Sequence, residues 1–280
     1  MGSYLQTDYD LADAQIISVI DDLPLWSAPF GLKMLEVVNY RQGMKVLDIG
    51  SGCGFPIIEL AQRLGDSCLV YGVDPWRQAV DRIFLKAKVW GIKNIHLTVA
   101  KAESLQFENN FFELIVSNNG INNVEDEKLV FAEIGRVAKK GAQLILTANL
   151  PETMKEFYQI LEVVLVRQGK TEEVEKLKEH IFAKRKPLSY TRKLIEQAGF
   201  RLNKIYKHSF DLKYTDGTSL LNHFLIKLAF LPSWKAMLQV KDQPSIFGEV
   251  EKELNNLAQQ NGCLKLTIPW VCFDARKSVD

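Results

Sequence analysis

Cysteine is sparse and unpatterned. The four present (Cys53, Cys68, Cys263 and Cys272) form no CxxC or CxxxxC pairing with histidine, so the sequence writes neither a zinc site nor a disulfide framework. Reduced thiols and no bound metal are the expectation. Net charge is lacking too. With 35 basic and 34 acidic residues there is no overall pull toward nucleic acid or an anionic membrane, and the run "AKRKP" (183 to 187) reads as a short solvated face. No apolar run reaches membrane-spanning length. The most apolar stretch, "SLLNHFLIKLAFLPSW" (219 to 234), is interrupted by Asn222, His223, Lys227 and Pro232, and reads as a buried or cap helix. The chain does not open on a basic segment followed by an apolar one, so a cytoplasmic protein without membrane insertion is expected. Repeats and low-complexity linkers are absent, and nothing in the sequence sets an oligomeric state.

Between residues 43 and 149, short β-branched runs alternate with amphipathic helical patterns. Strands are expected at 44–49, 68–74, 95–100, 112–117 and 142–148, with helices at about 55–64, 76–90 and 125–138. The strands are nearly continuous apolar runs, as in a parallel sheet covered on both faces, so the fold class is α/β with a doubly wound sheet. After Pro151 the pattern turns helical (152–167, 171–184, 188–198), and two further strands are expected at about 201–214 and 263–276. Upstream, 10–21 and 29–39 read as helices joined by "DDLPLWSAPF". The expected division is a helical lid over 1–40, a nucleotide-binding core over 41–150, and a helical cap with the last two strands over 151–280.

The stretch "VLDIGSGCGF" (46 to 55) places three glycines between a strand and a helix. Without a Cβ the backbone there accepts unusual φ values and lets a ligand approach closely. The dinucleotide fingerprint wants a third glycine where Phe55 stands. Asp48, just before the loop, would repel a pyrophosphate and favour a cation, and S-adenosylmethionine carries an ammonium and a sulfonium and no phosphate. Asp74, at the end of the second strand, suits two ribose hydroxyls, which both ligand types possess.

"VLDIGSGCG", "VYGVDPW", "VAKAESLQF", "FFELIVSNNGINNV" and "IGRVAKKGAQLILT", in that order, resemble the motif set of class I S-adenosylmethionine-dependent methyltransferases. The resemblance is greatest to the small-molecule branch that includes the ubiquinone and menaquinone biosynthesis enzymes. It covers about residues 40–150 and, more loosely, "LTIPWVCFDARK". It implies a Rossmann-like seven-stranded sheet with an antiparallel last strand, and S-adenosylmethionine as cofactor. By position, Gly50, Ser51, Gly52 and Gly54 would turn beneath the methionine part, with Asp48 near its ammonium and Asp74 on the ribose. Trp76 would lie against the adenine or serve the core. Ala102 and Glu103 match the family's adenine-side segment, whereas Lys101 stands where an aspartate is common. Asn118 and Asn119 would line the gap between cofactor and acceptor, with Asn118 on the cofactor side and Asn119 on the substrate side.

Methyl transfer from a sulfonium needs alignment and dryness more than a dedicated catalytic group. An N-P-P-Y motif is missing, which argues against nucleic-acid amino groups as acceptors. Of the four histidines, His180 and His223 lie in the helical additions and are the candidates for a general base, with a structural role as the alternative. Trp26 is read as a lid edge touching substrate or as a core plug. Aromatic density in the additions (Phe182, Phe224, Phe230, Trp234, Phe247) suggests a small, partly apolar acceptor. Two other readings stay open: a non-catalytic S-adenosylmethionine-binding protein, and an NAD(P)-dependent oxidoreductase.

Overall fold

Val46, Leu47 and Ile49 are shut off from solvent, and a run buried on both faces belongs at the centre of a sheet. In the computed structural model, which describes residues 3–6, 9–20 and 26–279, this run is β1 (Lys45–Ile49). The other strands are β2 (Leu69–Asp74), β3 (Ile95–Val99), β4 (Phe112–Asn118), β5 (Ala138–Asn149), β6 (Phe200–Tyr214) and β7 (Leu264–Lys277). They form one seven-stranded sheet in the order β3-β2-β1-β4-β5-β7-β6. β1 through β5 pair in parallel, and β7 runs antiparallel to β5, from Gln143 opposite Arg276 to Asn149 opposite Trp270. The expected α/β class, strand number and antiparallel last strand are all present.

The helices are α1 (Ala14–Ile20), α2 (Ala28–Val37), α3 (Ile57–Leu64), α4 (Arg77–Trp90), α5 (Glu127–Val137), α6 (Lys155–Arg167), α7 (Thr171–Lys184), α8 (Leu188–Gln197), α9 (Gly217–Asn222), α10 (Phe224–Ala229), α11 (Leu231–Ala236) and α12 (Gln243–Asn261). Local chemistry explains several boundaries. The Asp126 carboxylate accepts from the N–H groups of Lys128 and Leu129 and starts α5, while Gly91 in the left-handed region stops α4.

Two expectations change. The apolar run 219–234 is not one helix: His223 takes an extended conformation that ends α9, and Pro232 opens the first turn of α11, so the run becomes three short helices. Strand β5 begins four residues earlier than expected. Gly141 at φ 76° absorbs an irregularity, so Phe112 pairs Ala138 whereas Leu114 already pairs Gln143. Of the expected linker "DDLPLWSAPF", residues 21–25 lie outside the described residues.

The chain divides into two compact units, neither of them continuous in sequence. The glycine-loop unit holds residues 11–149, 187–207 and 270–280, and with them β1 to β5. The helical unit holds the described residues up to Asp10, with 150–186 and 208–269, and with them α6, α7 and α9 to α12.

Candidate functional site

In the glycine-loop unit the chain winds from β1 toward β3 on one side and onward through β4 on the other. The carboxyl end of β1 is therefore the point where strand order reverses, the place where open α/β sheets bind ligands. The loop after β1 is held from below. Gly50 N–H donates to the Val73 carbonyl at 2.9 Å, and Gly54 N–H to the Ser51 carbonyl at 3.0 Å. Gly50, at φ 77°, lies so near the loop after β4 that a Cβ there would meet the Gly120 Cα at 2.7 Å. Gly52, at φ 49°, faces open space instead, so its backbone is what a ligand would meet.

Two carboxylates flank this loop, and their surroundings are unlike. Asp74 accepts from Gly52 N–H through Oδ2 (2.9 Å) and from Trp76 N–H through Oδ1 (2.8 Å), which ties the β1 loop to the start of α4. Asp48 is fully buried, and neither of its oxygens has a hydrogen-bond partner among the described residues. Burial pushes its carboxyl up to about 7; the nearby Ser51 hydroxyl opposes the rise and the charge of Asp74 adds to it. The Ser51 hydroxyl donates to the Asp48 main-chain carbonyl at 3.1 Å. A buried carboxylate without a donor is costly, and a cation brought against it would offset that cost.

Beside the loop, Asn118 ends β4. Its Oδ1 accepts from the Thr147 hydroxyl (2.8 Å), and its Nδ2 donates to the Ser27 carbonyl (3.2 Å). Asn119 sits in the left-handed region at φ 60°, its N–H donating to Thr147 Oγ1 (3.1 Å) and its buried Nδ2 without a partner among the described residues. A cavity of about 640 Å³ is lined by Ser27, the loop from Gly50 to Phe55, Asn118, Ile58 and Gln62 of α3, and Lys86 and Trp90 of α4, among others. Of the residues the sequence singled out, it gathers Gly50, Ser51, Gly52, Gly54 and Asn118.

The rest stand elsewhere. Asp48 and Asp74 lie behind the loop rather than on the cavity wall. The Trp76 indole Nε1 donates to the Leu11 carbonyl at 2.9 Å and is half-buried. Ala102 is buried. The Glu103 carboxylate accepts from the N–H groups of Glu125 (2.8 Å) and Asp126 (3.3 Å); burial pushes it up, but main-chain donors outweigh this and hold it below the ordinary range. Lys101 pairs with Glu125 at 2.7 Å. Trp26 is half-buried with its ring 5.8 Å from Phe30, next to the cavity-lining Ser27.

His180 and His223 belong to the helical unit, and neither lines the cavity. His180 Nε2 lies 3.4 Å from the Tyr158 hydroxyl; burial, then the charges of Arg185 and Lys184, lower it to about 4. His223 stands at the N-cap of α10, edge-on to Tyr214, with its Nδ1 without a partner among the described residues; burial lowers it below the ordinary value. Sequence reasoning missed Thr147 and Ser27. The signal for Thr147 was present: a hydroxyl within the otherwise apolar "LILTA" of a central strand.

A doubly wound sheet with an open glycine loop at its switch point, an acid before the loop and another at the end of the next strand, defines a nucleoside-binding α/β unit. More narrowly, the chain belongs to the family described as Methyltransferase domain, which matches residues 41–182. A demethylmenaquinone methyltransferase of Anoxybacillus flavithermus is 32% identical over 126 residues, 45% of this chain and 53% of that protein. Its counterpart in Bacillus subtilis is 31% identical over 121 residues, 43% of this chain and 52% of its own length. The chain thus spans about half the length of these relatives. In fold it is similar to the YcgJ protein of Bacillus subtilis, at a TM-score of 0.61 and 16% identity over 90% of this chain and 100% of that one. A SAM-dependent methyltransferase from Aquifex aeolicus matches at a TM-score of 0.53 and 21% identity, over 69% of this chain and 91% of the other.

Proposed function

We propose that this protein transfers a methyl group from S-adenosylmethionine to a small, partly apolar metabolite in the cytoplasm, rather than to nucleic acid. The observation that carries the reading is the buried Asp48 carboxylate, unpartnered beneath a glycine loop. A pyrophosphate-bearing dinucleotide would bring negative charge toward it, whereas a cationic donor relieves it. The residues present fit the donor: Asp48 for its ammonium, the Gly50–Gly54 backbone for its methionine part, and Asp74 for ribose hydroxyls. The relatives' names, demethylmenaquinone methyltransferase, support an acceptor with apolar character.

When bound, the donor supplies an electrophilic methyl group that needs no further activation. What this chain adds is alignment. The Thr147 hydroxyl accepts from the Asn119 N–H and donates to the Asn118 Oδ1, so Asn118 presents a set orientation at the cavity wall. Ser27 and Trp26, at the edge of the N-terminal segment, serve as the lid that excludes water, and Asn119 contacts the acceptor. A base from His180 or His223 is required only where the acceptor must lose its proton before the bond forms.

Calorimetric titration tests this. S-adenosylmethionine binds, and Asp74→Ala abolishes or strongly weakens it; absence of binding, or tight NAD(P) binding in its place, overturns the reading. A non-catalytic sensor would bind the donor equally well, so turnover to S-adenosylhomocysteine with an isoprenoid-bearing phenolic acceptor separates the two.

A further inference from the structure

Helix α4 packs Ala79, Val80, Ile83 and Ala87 inward, which accounts for one face of its amphipathic pattern. Its other face is not the polar one expected of a helix that meets only water. Phe84 is 49% exposed, Leu85 50%, Val89 71% and Trp90 57%, four large apolar side chains within seven residues. Leu85 and Val89 are one turn apart, Phe84 and Lys88 flank them, and Trp90 closes the helix. Scattered exposed apolar residues need no explanation, but a cluster on one helix face does.

Charge identifies what covers it. From 77 to 93 the sequence carries Arg77, Arg82, Lys86, Lys88 and Lys93 against the single acid Asp81, in a chain whose 35 basic and 34 acidic residues otherwise nearly balance. Apolar and aromatic residues on a helix edged with lysine and arginine match an anionic lipid surface, where rings and aliphatic chains enter the acyl boundary and cations meet headgroup phosphates. A second copy of the chain fits less well, because a two-fold contact would set the basic edge against itself. Among the described residues no helix is long and apolar enough to cross a membrane, so the contact is with the surface.

We propose that the outward face of α4 (Phe84, Leu85 and Val89, with Trp90 at its C-terminal rim and lysine and arginine along its edge) docks the glycine-loop unit on an anionic lipid surface. Because Lys86 and Trp90 also line the cavity, docking sets one wall of the cavity against the lipid. The surface contact does not depend on methyl transfer, and vesicles alone test it.

The protein is floated with vesicles of mixed phosphatidylglycerol and phosphatidylcholine, and with phosphatidylcholine alone. It partitions onto the anionic vesicles, and about 0.5 M salt, which shortens screening to a few ångströms, removes most of the binding. Leu85→Ser/Val89→Ser lowers partitioning about tenfold or more, while its thermal transition and S-adenosylmethionine affinity stay unchanged. Lack of partitioning by the wild-type chain overturns the proposal, as does undiminished partitioning by the double variant. So does a concentration-dependent doubling of molar mass that the double variant abolishes, which would assign the face to self-association. Loss of donor binding by the wild-type chain, with vesicle binding intact, would count against methyl transfer alone.

Discussion

In the helical unit the Tyr158 hydroxyl accepts from Arg185 Nη1 and from Trp234 Nε1, each at 2.9 Å, while the buried guanidinium lies 4.9 Å from the Tyr158 ring centre and His180 Nε2 lies 3.4 Å from the hydroxyl. In the glycine-loop unit Asp48 is as deeply buried and, among the described residues, has no donor at either oxygen. Both regions remove a chargeable side chain from water. The first surrounds it with partners and thereby fixes a core; the second withholds the partner and leaves the site energetically incomplete. An unmatched buried charge is thus a better guide to a ligand than a matched one. The sharpest contrast within the site is between Asp48 and Asp74, which flank the same loop, one without a donor among the described residues and the other holding two main-chain N–H groups.

The largest effect expected is at Asp74. Asp74→Ala frees the N–H groups of Gly52 and Trp76 and removes the proposed ribose acceptor, so donor affinity falls by about 4 kcal/mol, on the order of a thousandfold, by calorimetry. Affinity that survived would show that the loop holds itself. Tyr158→Phe is the counterpart in the helical unit. Arg185 and Trp234 lose the oxygen they donate to, stability drops by about 3 kcal/mol in urea unfolding, and donor affinity does not change.

At Asp48 the sign reverses. Its carboxyl titrates near 7 in the folded chain and near 3.8 unfolded, so the unfolded state ionises first. Stability of the ligand-free protein therefore falls as pH rises from about 4 to 7, and the full cost persists above that. Asp48→Asn removes it, raising stability at pH 8 by about 2 kcal/mol while weakening the donor about tenfold. A variant less stable than wild type at pH 8 would mean that Asp48 has a partner after all. The smallest effect concerns the histidines. A base at His180 places the acidic limb of turnover near pH 4, since burial and neighbouring cations lower it there; a limb near 6.5 that Ala substitution of His180 leaves in place excludes this role.

Much of the glycine-loop unit was legible in the chain. Continuous apolar runs placed β1 to β4 to within a residue, because a strand buried on both faces has no reason to alternate, while the start of β5 was missed by four residues. The glycine spacing with Asp48 and Asp74 located the switch point. What could not be read were contacts set by tertiary structure. Trp76 sits where the motif places it, yet its indole N–H is engaged by Leu11, a residue 65 positions earlier. Glu103 matched a motif, but its carboxylate is taken up by the main chain of the next loop. Thr147 and Ser27 orient Asn118 across separations of 29 and 91 residues, which no local pattern records. The 219–234 run misled because composition reports burial well and continuity poorly.

The hydrogen bond from Gly52 to Asp74 also bears on rate. The loop is already folded onto the side chain proposed to read the ribose, so a nucleoside arriving there would find donors and acceptors in place and have little backbone to order. Association should then run at the speed of a rigid site, and residence time, rather than capture, becomes the quantity that other parts of the chain can tune.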